Sequence, residues 1–164
     1  MKKISIALLI YLQISLLAGE LLFASVVIDD RLYKATITRD VWGVPHVFGK
    51  TDADAAFGMA FAHAQDDIKN LTDNISLYRA EMGLKQGLKG VVSDYLIKAL
   101  KIREMVVEGY EAKLSSQVRE VIEGYVAGLN YWIDLHPNRD YQALFPVTKY
   151  DIVSGFVIQN LFFS

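Results

Sequence analysis

His46 follows Arg39 and Asp40 in a stretch constrained by Gly43 and Pro45. An imidazole near a carboxylate is the pairing that general acid–base chemistry uses. The same pair also serves as a plain hydrogen bond across a turn, holding two extended segments together. Further on, Gln65, Asp66 and Asp67 supply oxygen atoms of the kind a hard cation takes. A helix sets consecutive side chains about 100° apart, so Asp66 and Asp67 do not converge without a loop ligand. Solvation, or a salt bridge to Lys69 or Arg79, is their expected fate. The three histidines, His46, His63 and His136, show no metal-ligand spacing. With no cysteine in the chain, disulfides and thiolate zinc sites are excluded. Asn70-Leu71-Thr72 and Asn74-Ile75-Ser76 match the glycosylation acceptor pattern, but both fall in a predicted helix and read as chance.

These side chains must be held by elements that the pattern of apolar residues outlines. Met1-Lys2-Lys3, the apolar run Ile4 to Gly19 and the small Ala24 have the form of a secretory signal peptide over residues 1–24. The run is short for the roughly 20 apolar residues a spanning helix needs, so cleavage after Ala24 is expected rather than a signal anchor. An uncleaved segment would be the chain's one tie to a membrane. Residues 25–164 then form one domain's worth of chain, enough for a modest core. A net charge of −2 gives no electrostatic case for nucleic acid or an anionic surface.

The alternation of Tyr33, Ala35 and Ile37 against Lys34, Thr36 and Thr38 predicts a strand with one covered face. Gly43 and Pro45 then force a turn into a second short strand at Val47-Phe48. Thr51 with Asp54 is a capping-box pattern, and Ala55 to Met82 reads as a long helix. Gly58 inside it costs about 1 kcal/mol relative to Ala unless a close backbone contact requires it. Gly83, Gly87 and Gly90 predict a loop, and Asp94 to Tyr110 a second helix buried through Leu96, Leu100 and Val107. Val118, Ile122, Tyr125, Leu129 and Trp132, widened by Val121 and Ile133, form the clearest stripe, capped by Ser115 or Ser116 and ended by His136-Pro137. Thr148 and Asp151 open a last helix, whose apolar end at Leu161-Phe162-Phe163 calls for further protein to cover it. Trp42, Tyr125 and Trp132 are expected in the core. The fold class is α+β, mostly helical, with a short N-terminal strand pair.

Two stretches carry a resemblance. Thr38-Arg39-Asp40-Val41-Trp42-Gly43-Val44-Pro45-His46-Val47 and Ala56-Phe57-Gly58-Met59-Ala60-Phe61-Ala62-His63-Ala64-Gln65-Asp66-Asp67, in that order and separation, resemble the start of the mature chain in the penicillin acylase family. There an "Arg-Asp-x-x-Gly-x-Pro-His" turn precedes a helix ending "Ala-Gln-Asp". Leu77-Tyr78-Arg79-Ala80-Glu81 and Glu123-Gly124-Tyr125-Val126-Ala127-Gly128-Leu129-Asn130 look like segments of its acyl-homoserine lactone and lipopeptide acylase branch. The pattern departs at Asp67, where Arg is common, and at Ala80, where Gly is common, which weighs against penicillin itself as substrate.

The resemblance implies the N-terminal, α-subunit part of an αββα N-terminal-nucleophile hydrolase. Such a precursor is exported to the periplasm or medium, cuts itself in two, and hydrolyses a small acyl amide. The nucleophile, usually Ser, begins the second chain and uses its own α-amino group as base, an amine near pKa 8 being able to take the proton at neutral pH. It would lie outside this chain, and the partner would be the β-subunit of the same precursor. Because that nucleophile brings its own base, the hydrogen-bonding role for His46 is favoured. By similarity Phe156, Asn160 and Phe163, at helical spacing on one side of the last helix, face the acyl group, with ordinary core packing the alternative for Phe156. Asn160, expected buried, would need a partner for its amide. No cofactor is implied; family members can bind calcium, but no ligand set is identifiable here. The competing reading of the whole is a non-catalytic exported helical module, either a partner-binding domain or a truncated product.

Overall fold

The computed structural model describes residues 24–137 and 144–163. Residues 1–23, which hold all but the last residue of the expected signal peptide, and Ser164 lie outside the described residues. Three antiparallel strands, β1 (Ala24–Asp29), β2 (Lys34–Arg39) and β3 (Pro45–Gly49), form a sheet in the order β1-β2-β3. The expected strand pair is β2 and β3; β1 adds a third strand, with Ile28 opposite Ala35 and Val27 opposite Thr36. Its hairpin carries neither Gly nor Pro. Instead Asp29 accepts the Arg31 N–H and Asp30 those of Leu32 and Tyr33, which holds Arg31 at φ +80°. Ile28, Ala35 and Ile37 point to the covered face.

Among the described residues six helices follow: α1 (Asp52–Tyr78), α2 (Met82–Gln86), α3 (Leu88–Ala99), α4 (Ile102–Lys113), α5 (Ser116–Asp134) and α6 (Lys149–Phe163). The capping box forms: Thr51 Oγ1 accepts the Asp54 N–H at 3.1 Å, and Asp54 accepts the Thr51 N–H in return. α1 kinks at Asp67 and ends at Tyr78, short of Met82. Ala80 takes φ +54°, a left-handed conformation that favours glycine, the residue common there in the family it resembles.

Most of the glycine-rich segment is helical rather than loop, with Gly87, at φ +60°, left as the turn between α2 and α3. Gly90 lies inside α3 because a Cβ there would sit 2.3 Å from the Met82 backbone, so the residue lets α3 press against α2. Asp94 accepts the N–H groups of Met82 and Gly83, satisfying the open start of α2. The single helix expected over Asp94–Tyr110 is two, broken at Lys101, which adopts φ 52°, ψ 38°. That break changes which residues face inward. Ile97, Ile102, Val106 and Tyr110 are buried, while Leu96, Leu100 and Val107 are 43%, 45% and 46% exposed.

α1 is the spine, with the sheet on one side and α5 on the other. A Cβ on Gly58 would fall 2.5 Å from Val47 Cγ1 and 2.6 Å from the Ala35 Cβ, so the close contact anticipated for it exists, against the sheet. On the far side Gly124 and Gly128 meet α1 backbone directly; added Cβ atoms would lie 2.3 Å from the Ala53 oxygen and 2.1 Å from the Phe57 oxygen. Phe57, Phe61, Leu71 and Ile75 of α1 pack with Leu129, Trp132 and Ile133 of α5. Ser115 caps α5 through the Val118 N–H, but Val118 is exposed and Val121 borders an open cavity rather than the core. Trp42 is not core: it is 87% exposed at the tip of the β2–β3 turn. A second cluster joins Ala80, Ile97, Ile102 and Val106 to Ile158 of α6.

Candidate functional site

Where α1, α5 and α6 converge they leave an apolar cavity of about 380 Å³, lined by Met59, His63, Ile75, Tyr78, Tyr125 and Phe156 among others. The Tyr125 hydroxyl and His63 Nδ1 lie 2.8 Å apart in a mostly apolar wall to which Asn74, Tyr78 and Gln159 add further polar groups. Burial, with a smaller contribution from Tyr78, pushes the Tyr125 phenol up to about 12, and burial also raises Tyr78. Both therefore stay protonated at neutral pH and act as neutral hydrogen-bonding groups rather than as bases.

Phe156 lines this cavity and is 59% exposed, so it is not a core residue. Asn160 is exposed as well; its amide donates to the Phe156 carbonyl at 2.8 Å within the same helix, which removes the need for a buried partner. Phe163 is the last residue of α6, and its side chain lies outside what is described.

The start of α6 is held by charged groups from distant parts of the chain. Asp151 is fully buried and takes a two-pronged contact from Arg79, Nε at 3.1 Å and Nη2 at 2.7 Å, together with Arg103 Nη1. Thr148 adds its N–H at 2.7 Å and its hydroxyl at 2.8 Å. Burial works to raise the Asp151 carboxyl, but the hydrogen bonds from Arg79, Arg103 and Thr148 outweigh it and hold the group at about 2. Arg79 also donates to the carbonyls of Leu144 and Pro146. Asn130 pairs with both the N–H and the carbonyl of Val147. Sequence reasoning paired Thr148 with Asp151 at the start of the last helix but did not join them to Arg79 or Asn130, which stand in the resembling segments.

The turn residues form a brace. Arg39 donates to the Gly43 carbonyl at 2.8 Å, to both carboxylate oxygens of Asp66, the nearer at 2.7 Å, and to Gln65. It thus ties β2 and the following turn to α1. Gly43 takes φ +81° and Pro45 opens β3. Asp40 accepts the N–H groups of Trp42 and Val44 at 2.9 Å, with His46 Nε2 at 3.4 Å. Those bonds, Val44 and Trp42 ahead of His46, outweigh the upward push of burial and lower the Asp40 carboxyl. His46 thus sits across the turn from Asp40, as the hydrogen-bonding reading has it.

Asp66 pairs with Arg39 rather than with Lys69 or Arg79, because Arg79 is engaged by Asp151. Asp67 instead accepts from Asn70. Among the described residues no three His, Asp or Glu side chains group at metal-ligand spacing.

The family model for penicillin amidase matches residues 34–159, and the chain belongs to that family. Among its relatives, the penicillin acylase 2 proenzyme of Pseudomonas sp. (strain SE83) is 32% identical over 99 residues, which are 59% of this chain and 12% of that protein. The acyl-homoserine lactone acylase PvdQ of Pseudomonas savastanoi pv. phaseolicola is 28% identical over 119 residues, 68% of this chain and 15% of that protein. The chain therefore spans less than a sixth of these curated relatives. The solved thermostable penicillin G acylase from Alcaligenes faecalis has the same fold, with a TM-score of 0.61 at 22% identity over 85% of this chain and 75% of that one.

Proposed function

We propose that this chain is the leading, α-subunit part of an exported acylase precursor, which cuts itself in two and then hydrolyses a small acyl amide. The family match over residues 34–159 carries this reading, and acylase relatives from both the penicillin and the lactone branch support it. In this reading the nucleophile and its α-amino base begin the β-subunit, outside this chain. The apolar cavity beside Phe156 contributes one wall of the acyl pocket, with Asn160 and Phe163 further along the same side of α6. A largely hydrocarbon wall suits an acyl chain, and its lining holds no carboxylate to pair with a charged amine. Maturation takes place in the periplasm or outside the cell.

The test is to express the complete open reading frame and assay penicillins, acyl-homoserine lactones and lipopeptides of graded acyl length. Mass spectrometry of the purified protein reports the cut. Two chains and turnover of at least one substrate class are expected. Uncut protein inert across the panel would overturn the proposal. Turnover by residues 25–164 alone would show that the reacting groups had been placed in the wrong chain; the isolated segment is expected to be inactive and molten.

A further inference from the structure

α6 places apolar side chains on every side, interspersed with Ser154, Gln159 and Asn160, and so has no single apolar stripe. Ile152 and Ile158 face the two buried clusters, and Val153 and Val157 pack against the second, yet Phe156 and Leu161 remain exposed. An amphipathic stripe normally dictates how a helix turns toward its neighbours; a helix without one lacks that instruction. Consecutive residues differ by about 100° around the axis, so a rotation of one position would exchange Phe156 for Val157 at the cavity wall.

Two contacts remove that freedom. Asp151, in the first turn, is gripped by the planar fork of Arg79, a geometry that fixes direction as well as distance. Arg79 itself is anchored to the carbonyls of Leu144 and Pro146, so the fork cannot follow a turning helix. On the next turn Gly155 lies against the Tyr78 ring, where even a Cβ would come within 2.5 Å of the ring carbons. Any other rotation would bring a side chain into that space.

We infer that the Arg79–Asp151 fork, with Arg103 as a second cation and Gly155 as a key, sets the rotation of α6 and so decides that Phe156 forms the cavity wall. Arg79 and Asp151 are positioning residues for acyl-chain selection. This rests on the acyl-pocket reading above. Arg79 acts through its fork and Arg103 through one Nη1 contact, so the two should respond differently to lysine.

The experiment uses the full-length, processed protein with R79K, R103K and R103Q. R79K should raise KM for the preferred acyl chain roughly tenfold or more, leave kcat nearly unchanged and shift the preferred chain length. R103K should stay close to wild type, and R103Q should shift chain length in the same direction as R79K, which keeps the test alive if R79K does not fold. Equal and mild effects of R79K and R103K, or an unaltered chain-length profile in R79K and R103Q, would overturn the inference. A second readout does not depend on activity. This chain lacks cysteine, so alkylation of F156C and V157C, read by peptide mapping, reports the rotation. Position 156 should label faster than 157 in the parent, and R79K or R103Q should erase the difference. A difference that persists in both overturns the inference. A lost difference in a protein without acylase activity would uphold the lock while overturning the acyl-pocket reading.

Discussion

Asp151→Asn removes one charge while keeping the shape of the side chain. In the native protein this carboxylate is inaccessible to solvent and answers two guanidinium groups and the Thr148 N–H and hydroxyl. The asparagine retains one acceptor oxygen and turns an NH₂ toward donors, so at least one guanidinium loses its partner. Breaking a buried pair from one side costs about 3–5 kcal/mol. Arg103 is 40% exposed and recovers some hydration, which places the expected loss near the lower end, about 3 kcal/mol. At roughly 2–4 °C per kcal/mol for a large domain, calorimetry of the full-length protein should show the midpoint falling by about 6–12 °C.

A pH series sharpens the test. The Asp151 carboxyl is lowered on folding from 3.8 to about 2, so its stabilisation is fully present above pH 3.8 and disappears as pH falls through 2. Its magnitude is roughly 2 kcal/mol, each pH unit of difference being worth about 1.4. The gap between parent and variant should therefore narrow steadily from pH 5 to pH 2. A variant that melts within 2 °C of the parent at pH 7, or a gap independent of pH, would refute the assignment of a buried, charge-bearing clamp.

Gly58→Ala gains about 1 kcal/mol of helix propensity but forces a methyl into Val47 and Ala35, and a net loss of about 1–2 kcal/mol in thermal unfolding is expected. Thr51→Ala removes one arm of the α1 capping box and should cost about 1 kcal/mol by the same measurement. His46→Asn should leave kcat of the full-length protein within about threefold of the parent, whereas loss of a general base would cost about 10²–10⁴-fold. Phe156→Ala should raise KM for short acyl chains and tolerate longer ones, read from the chain-length panel.

Local chemistry was legible where one residue and its near neighbours decide the outcome. The Thr51–Asp54 cap, the Ser115 cap and the inward run of Ile122, Leu129 and Trp132 depend on spacing alone. The division of α3 from α4 was not readable, because Lys101 takes a left-handed conformation that nothing in its type demands. Once that break is missed, the inward face is placed one residue off, at Leu96 and Val107 instead of Ile97 and Val106. Glycines misled in the other direction: Gly83 and Gly90 read as loop signals, yet they serve close approach of two short helices. At the candidate site Phe156 was found by resemblance, but the Arg79–Asp151 pair joins residues 72 apart and emerges only when the chain is folded. Exposure of Trp42 follows from the same limit, since a turn tip offers no layer to cover it.

The crossing of α1 and α5 has a consequence for how such a molecule changes over time. Gly124 and Gly128 bring main chain against main chain, and the fit depends on the lack of side chains, not on their shape. Residues bordering the cavity away from that crossing, such as Met59 and Phe156, can be exchanged without altering how the two helices meet. The scaffold is in this sense insulated from its own pocket: ligand preference is free to drift residue by residue while the frame stays in register.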